Sequence, residues 1–94
     1  MAQTQLPIFP SHYTLITPVL GFEKRDGMVY YFHGSLPVFT HAEADLASFR
    51  MFTSQLVVGG HVSQIEISRS FGVSYSSVKR GVKKYREHGA SAFF

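Results

Sequence analysis

The chain has 94 residues and 45% of them are hydrophobic, which is enough for one small domain with its own core. It contains no cysteine, and this excludes disulfide bonds and thiolate metal sites. The formal net charge is +3, and five of the nine Lys and Arg residues fall within positions 79–86. We therefore expect the region near residue 80 to attract a polyanion.

Several classes of site and location are disfavoured by what the sequence lacks. The five histidines are scattered and show no i, i+4 pair, so we expect no metal site. Residues 1–10 carry neither the positive n-region nor the apolar run of a signal peptide. No window approaches the roughly 20 apolar residues that span a bilayer. We expect a cytoplasmic protein with no membrane partner, no cofactor and no small-molecule substrate.

The first 39 residues lack helical periodicity and contain all four prolines, between short runs of aromatic and β-branched residues. The stretch GFEKRDGMVYYFHG predicts a hairpin with arms near 22–24 and 28–33, because Asp26 and Gly27 both tolerate positive φ. LPVF at 36–39 predicts a third strand, which Pro37 keeps near a sheet edge. YTLIT at 13–17 is a candidate fourth strand. Residues 1–39 are thus predicted to form a β-rich segment.

From Thr40 the pattern becomes helical. THAE is a capping box with Thr40 as N-cap, and it predicts a helix over 41–58 that ends at Gly59-Gly60. SQIE is a second capping box, which predicts a helix over 63–71 that ends at Gly72. Ser74 then caps a third helix over 75–88. The predicted core of this half comprises Leu46, Phe49, Leu56, Ile67, Phe71, Val73, Val78, Val82 and Tyr85.

The second and third helices are joined by a short turn that contains Gly72. Two helices that cross steeply over such a turn form the helix-turn-helix motif, and Ser68 is small where the two helices would approach each other. The sequence therefore predicts an α+β fold, with an N-terminal β-hairpin or meander followed by a three-helix helix-turn-helix domain over 40–90.

At about 100° per residue, Val78, Val82 and Tyr85 form one stripe of the third helix. On its far side lie Ser76, Lys79, Arg80 and Lys83. Gly81 is unexpected, since glycine inside a helix is less favourable than alanine by about 0.5–1 kcal/mol. Either another element, such as the N-terminal hairpin, packs closely at Gly81 or the helix bends there.

The stretch SQIEISRSFGVSYSSVKRGVKKYREHGASAFF, residues 63–94, resembles the N-terminal helix-turn-helix of bacterial insertion-sequence transposases. Many regulators share the FGVS turn, whereas KKYREHGASAFF is more distinctive of transposases. Gly81 departs from the pattern, which usually has a large aromatic or aliphatic residue there. The resemblance implies recognition of double-stranded DNA at transposon ends. It also implies that residues 91–94 begin a linker to a downstream domain that this sequence lacks.

In a helix-turn-helix protein the N-terminal residues of the third helix lie nearest the bases. We expect base contacts from Tyr75, Ser76, Lys79 and Arg80, with Arg80 the candidate for a bidentate guanine contact. Ser77, at the same helix start, is also expected to contact DNA, since its short hydroxyl can donate to a phosphate or a base edge. Phosphate contacts are expected from Ser63, Gln64, Ser74, Lys83 and Lys84.

The six acidic residues offer no set of three carboxylates of the kind that holds two catalytic metal ions in transposases, so we expect no catalytic residue in this chain. A small dimeric transcriptional regulator is the main alternative. In that case Tyr30, Tyr31, Phe32 and Phe39 would belong to a homodimer interface, although aromatics at strand spacing are also ordinary core residues. A protein-interaction module whose basic helix binds an acidic partner is a third interpretation.

Overall fold

The computed structural model describes residues 13–94, so positions 1–12 of the predicted β-rich segment lie outside it. In that range the chain forms β1 (Thr14–Leu15), β2 (Leu20–Arg25), β3 (Met28–His33), β4 (Leu36–Ala42), α1 (Leu46–Val58), α2 (Gln64–Phe71), α3 (Tyr75–His88) and a 3₁₀ turn (Ala90–Phe93). A β-meander is followed by three helices, and this confirms the predicted α+β fold.

The four strands of the described range form one antiparallel sheet in the order β1-β2-β3-β4. The β2–β3 hairpin turns at Asp26 and Gly27, whose φ values are 53° and 77°. Two successive residues with positive φ give a turn whose twist matches that of the strands. The predicted hairpin is confirmed, and strand β2 is longer at both ends than the predicted arm.

The predicted helix start at Thr40 is wrong, because strand β4 continues to Ala42. Thr40 pairs with Tyr30 of β3, and its hydroxyl donates a hydrogen bond to the Val29 carbonyl at 2.9 Å. A β-branched residue suits this position in a sheet. Glu43, the supposed partner in the capping box, forms an ion pair with Lys24 instead, at 3.4 Å.

Asp45 is the N-cap of α1. Its carboxylate accepts hydrogen bonds from the Ser48 hydroxyl at 2.7 Å and from the Ser48 backbone N–H at 3.1 Å. Both bonds hold the pKa of the Asp45 carboxyl below its ordinary value, and the bond from the hydroxyl has the larger effect. Helix α1 ends at Val58, as predicted, and Gly60 takes a φ of 82° after it.

An aromatic cluster joins the sheet to the helices. Phe22 of β2 stacks on Phe71 of α2 with ring centroids 4.6 Å apart, and Phe71 meets Phe49 of α1 edge-on at 5.0 Å. Phe39 of β4 stacks on Phe52 of α1 at 4.3 Å. Because these rings connect β2, β4, α1 and α2, sheet and helices share one core.

Within residues 13–94, Tyr31 and His41 form a hydrogen-bonded polar pair in the core. Burial raises the pKa of the Tyr31 hydroxyl far above its ordinary value, so the hydroxyl stays protonated. The hydroxyl is hydrogen-bonded to Nε2 of the buried His41 at 2.8 Å, and His41 Nδ1–H donates to the Ala42 carbonyl at 2.7 Å. The Tyr31–His41 hydrogen bond thus joins β3 to β4 inside the core.

The helix-turn-helix forms where the sequence predicts it. Ser63 and Glu66 make the reciprocal hydrogen bonds of a capping box, and Gly72 ends α2 with a φ of 70°. The Ser68 hydroxyl donates to the Val73 carbonyl at 2.7 Å, which ties the turn to α2. The predicted core residues Phe49, Leu56, Ile67, Phe71, Val78 and Val82 are buried, while Leu46, Val73 and Tyr85 are half-buried.

Gly81 lies where α3 meets α1. A Cβ placed on Gly81 would lie 2.8 Å from Ser54 Oγ, closer than a real Cβ tolerates. The element that packs against this glycine is therefore α1 and not the N-terminal hairpin. The close approach accounts for a residue that helix propensity disfavours.

Replacing Gly72 with valine should lower the free energy of unfolding by more than about 1 kcal/mol, since a β-branched residue is strained at positive φ. Gly72→Asn is the matched control and should lose less, because asparagine tolerates this conformation better. Urea titration followed by circular dichroism measures both variants. Equal stability of Gly72→Val and the parent protein would show that the turn is built differently.

The Gly81 contact predicts energetic coupling with Ser54. Alanine stabilises a helix by about 1 kcal/mol relative to glycine. At position 81 its Cβ would also displace the Ser54 side chain, which costs about as much. Gly81→Ala alone should therefore change the free energy of unfolding by less than about 0.5 kcal/mol. In a protein that already carries Ser54→Ala, the same substitution should raise it by about 1 kcal/mol. A double-mutant cycle measures this difference. The same gain in both backgrounds would contradict the contact.

Candidate nucleic-acid interface

Helix α3 directs two valines into the core and leaves a long basic face exposed. Val78 and Val82 are buried against the rest of the domain. The exposed residues comprise Tyr75, Ser76, Lys79, Arg80, Lys83, Lys84, Arg86, Glu87 and His88. The helical wheel derived from the sequence therefore describes α3 correctly.

The first turn of α3 is held by a chain of hydroxyl groups. Ser74 Oγ accepts a hydrogen bond from the Ser77 N–H at 3.2 Å and donates one to Ser77 Oγ at 2.9 Å. Ser77 Oγ also accepts a hydrogen bond from Nη2 of Arg80 at 3.2 Å. Ser77 thus orients Arg80, and Ser74 would have to release Ser77 before donating to a phosphate.

Three of the predicted base-contacting residues lie close together at the N-terminal end of α3. Tyr75 is 44% exposed, and the Lys79 ammonium lies 5.9 Å from the centre of its ring. Ser76 is exposed, and its hydroxyl forms no hydrogen bond with any of residues 13–94. This end of the helix presents a donor-rich surface that is open to a partner.

The start of α2 lies beside one flank of α3. A groove here, the α2-side groove, is lined by Gln64, Lys79, Arg80, Val82, Lys83, Arg86 and Glu87. The structure thereby brings predicted phosphate-contacting residues of two helices together. Ser63 caps α2 with its oxygen as acceptor, so its hydroxyl hydrogen is available to a ligand. The Gln64 Oε1 atom is buried without a hydrogen-bond partner among residues 13–94.

Glu87 is an acidic residue within this basic surface. Its carboxylate lies 3.5 Å from the Lys83 ammonium, one turn earlier on α3. Both side chains are largely exposed, so the pair contributes little to stability. Its main effect is to offset one of the positive charges of the α2-side groove.

The opposite flank of α3 forms a second groove with α1, the α1-side groove. It is lined by Arg50, Ser77, Arg80, Gly81, Lys84 and Phe93. The Lys84 ammonium lies 5.0 Å from the centre of the Phe93 ring, so the 3₁₀ turn at 90–93 packs beneath this lysine.

Arg50 is absent from the predicted site residues although it is exposed and borders Arg80 and Lys84. Its position depends on the α1–α3 contact between Ser54 and Gly81, because Arg50 lies one turn before Ser54. The anomalous glycine was the signal in the sequence that another helix approaches α3. The sequence does not identify α1 as that helix.

Two further observations bear on other kinds of site. Within residues 13–94, no group of three His, Asp or Glu side chains is arranged to hold a metal ion. None of the helices in that range combines the length and apolar character needed to cross a bilayer.

Residues 49–93 match a family model described as a helix-turn-helix domain. Searches of curated proteins and of solved structures found no match to the chain. The matched residues include most of α1, all of α2 and α3, and the 3₁₀ turn. The comparison therefore supports a helix-turn-helix DNA-binding region that extends through Phe93.

Proposed function

We propose that this chain binds double-stranded DNA sequence-specifically, with α3 in the major groove. The observation that carries the proposal is the exposed basic face of α3. The helix-turn-helix holds this face in place, and helix-turn-helix domains bind DNA through the corresponding helix. Ser76 and Ser77 in the first turn of α3 carry short hydroxyl side chains, which let the helix approach base edges closely.

The proposed roles of the residues follow from their positions. Tyr75, Ser76, Lys79 and Arg80 contact bases, because they lie on the exposed N-terminal half of α3. Arg80 offers the planar fork that reads guanine, and the Ser77 hydroxyl orients it. Phosphate contacts come from the two helix starts and the C-terminal half of α3, namely Ser63, Gln64, Ser74, Lys83 and Lys84.

We further propose that this DNA binding is the end-recognition step of a transposase. The resemblance of KKYREHGASAFF to insertion-sequence transposases supports this assignment. On this proposal the chain itself is not catalytic, its place is with DNA in the bacterial cytoplasm, and the catalytic carboxylates belong to a domain beyond residue 94. A reading frame that continues past Phe94 into a domain with three catalytic carboxylates would support it.

A small dimeric transcriptional regulator is the second candidate. The sheet and the residues next to its strands favour it through large apolar side chains that remain exposed, namely Tyr13, Leu15, Val19, Leu36 and Val38. A dimer that forms without DNA and covers two half-sites about one helical turn apart would favour the regulator. Analytical ultracentrifugation of the free protein and footprinting of a selected duplex distinguish the two candidates.

Arg80 and Lys83 should report different kinds of contact. Arg80→Ala should weaken binding to a duplex selected from random DNA by about 1–3 kcal/mol and relax specificity at one base pair. Lys83→Ala should weaken binding to all duplexes alike and lower the slope of log K against log salt by about 1. Fluorescence anisotropy at several salt concentrations measures both effects. If affinity and slope stay unchanged in both variants, α3 is not docked in the groove.

Removal of the negative charge of Glu87 is predicted to tighten DNA binding. Glu87→Gln removes the negative charge that offsets Lys83, so it should tighten duplex binding, and the gain should shrink as salt screens the field. Glu43→Gln is the matched control, since Glu43 also pairs with a lysine, Lys24 at 3.4 Å, but on the sheet. The same anisotropy titration compares the two. Equal effects of both substitutions would mean that only net charge matters.

A further inference from the structure

The α1-side groove gathers cations without an acidic counterpart. Arg50 comes from α1, whereas Arg80 and Lys84 come from successive turns of α3. No carboxylate of residues 13–94 lines this groove, and none forms an ion pair with any of the three. Like charges held together in this way repel one another, and an anion that binds between them relieves the repulsion.

The groove also has the hydrogen-bonding groups that a phosphate needs. The guanidinium of Arg50 presents several N–H donors, and the ammonium of Lys84 presents three. Ser77 lies at the groove wall and holds Arg80 through its hydroxyl at 3.2 Å. Phe93 packs beneath the Lys84 ammonium, which restricts where this flexible side chain can reach. Gly81 lines the groove without a side chain that would narrow it.

The two grooves lie on opposite flanks of α3. Ser77 and Lys84 are on the flank that faces α1, while Lys79 and Arg86 are on the flank that faces α2. At 100° per residue these flanks are about 160° apart. A helix in the major groove has a sugar-phosphate strand on each side, so each flank of α3 faces one strand.

We propose that the α1-side groove is a second phosphate site, in which Arg50 of α1 and Lys84 of α3 hold the DNA strand opposite the one contacted by the start of α2. The inference rests on the proposed DNA binding and adds to it a contact from α1. Recognition then involves all three helices, with α3 between two anchored strands.

Arg50→Gln tests the site, because it removes one charge at an exposed position and leaves the Arg50 carbonyl that accepts from Thr53 in place. Arg69→Gln is the matched control. Arg69 is an exposed arginine of α2 that lines neither groove, so the same charge is lost away from the site. Both variants are titrated by anisotropy against a random-sequence duplex and a selected duplex, from about 50 mM to 300 mM salt.

Arg50→Gln should lower the salt slope by about 0.9, which corresponds to about eightfold weaker binding near 0.1 M salt. The loss should be the same for both duplexes, since a phosphate carries no sequence information. Arg69→Gln should leave the slope unchanged. The double variant Arg50→Gln/Lys84→Gln should lose less than the sum of the two single variants if both residues contact one phosphate.

Two outcomes would overturn the inference, and they are distinguishable. If Arg50→Gln matches Arg69→Gln while Lys83→Ala still lowers the slope, α3 binds DNA but the α1-side groove does not hold a phosphate. If the parent protein shows no salt-dependent duplex binding, the proposed function fails, and the inference fails with it. Thermal melts of every variant establish that the losses do not arise from unfolding.

Discussion

The α1–α3 contact at Gly81 is the constraint on which the basic surface depends. Because Gly81 has no side chain, Ser54 of α1 reaches the backbone of α3, and the two helices lie side by side. That contact fixes how far α3 projects from the domain, and it places Arg50 beside Arg80 and Lys84. A larger residue at position 81 would push the helices apart and widen the groove between them. The glycine that weakens α3 as an isolated helix thus sets the geometry of its exposed face.

The sheet supports this arrangement through the aromatic cluster. Phe71, at the end of α2, contacts both Phe22 of the sheet and Phe49 of α1, so the helix-turn-helix rests on a core that the sheet completes. Aromatic pairs of this kind stabilise by about 0.5–1.5 kcal/mol beyond the area they bury. The β-rich part is therefore a structural partner of the helices.

Short signals in the sequence predicted those elements whose backbone conformation is set by interactions between nearby residues. Asp26-Gly27, the Ser63–Glu66 capping box and Gly72 each determine backbone conformation within a few residues, and each was placed correctly. The same kind of signal failed at Thr40, because S/T-x-x-E also fits a strand, and pairing across the sheet with Tyr30 decided the outcome. Arg50 could not be assigned from sequence, since its relation to α3 depends on a contact between residues 27 positions apart.

The like charges on the exposed face of α3 lower the stability of the helix, and their presence fits a binding role. Lys79 and Lys83 repel at i, i+4, as do Arg80 and Lys84, and each such pair destabilises a helix by about 0.2–0.5 kcal/mol. Gly81 between them adds a further loss. Burial of Val78 and Val82 offsets these terms, because it contributes about 1.5–3 kcal/mol for each fully buried side chain. Core packing therefore holds together a helix whose charges repel, and natural proteins break local rules of this kind mainly at functional sites. Phosphates on both flanks of α3 would remove the repulsion, so the surface is matched to a polyanion.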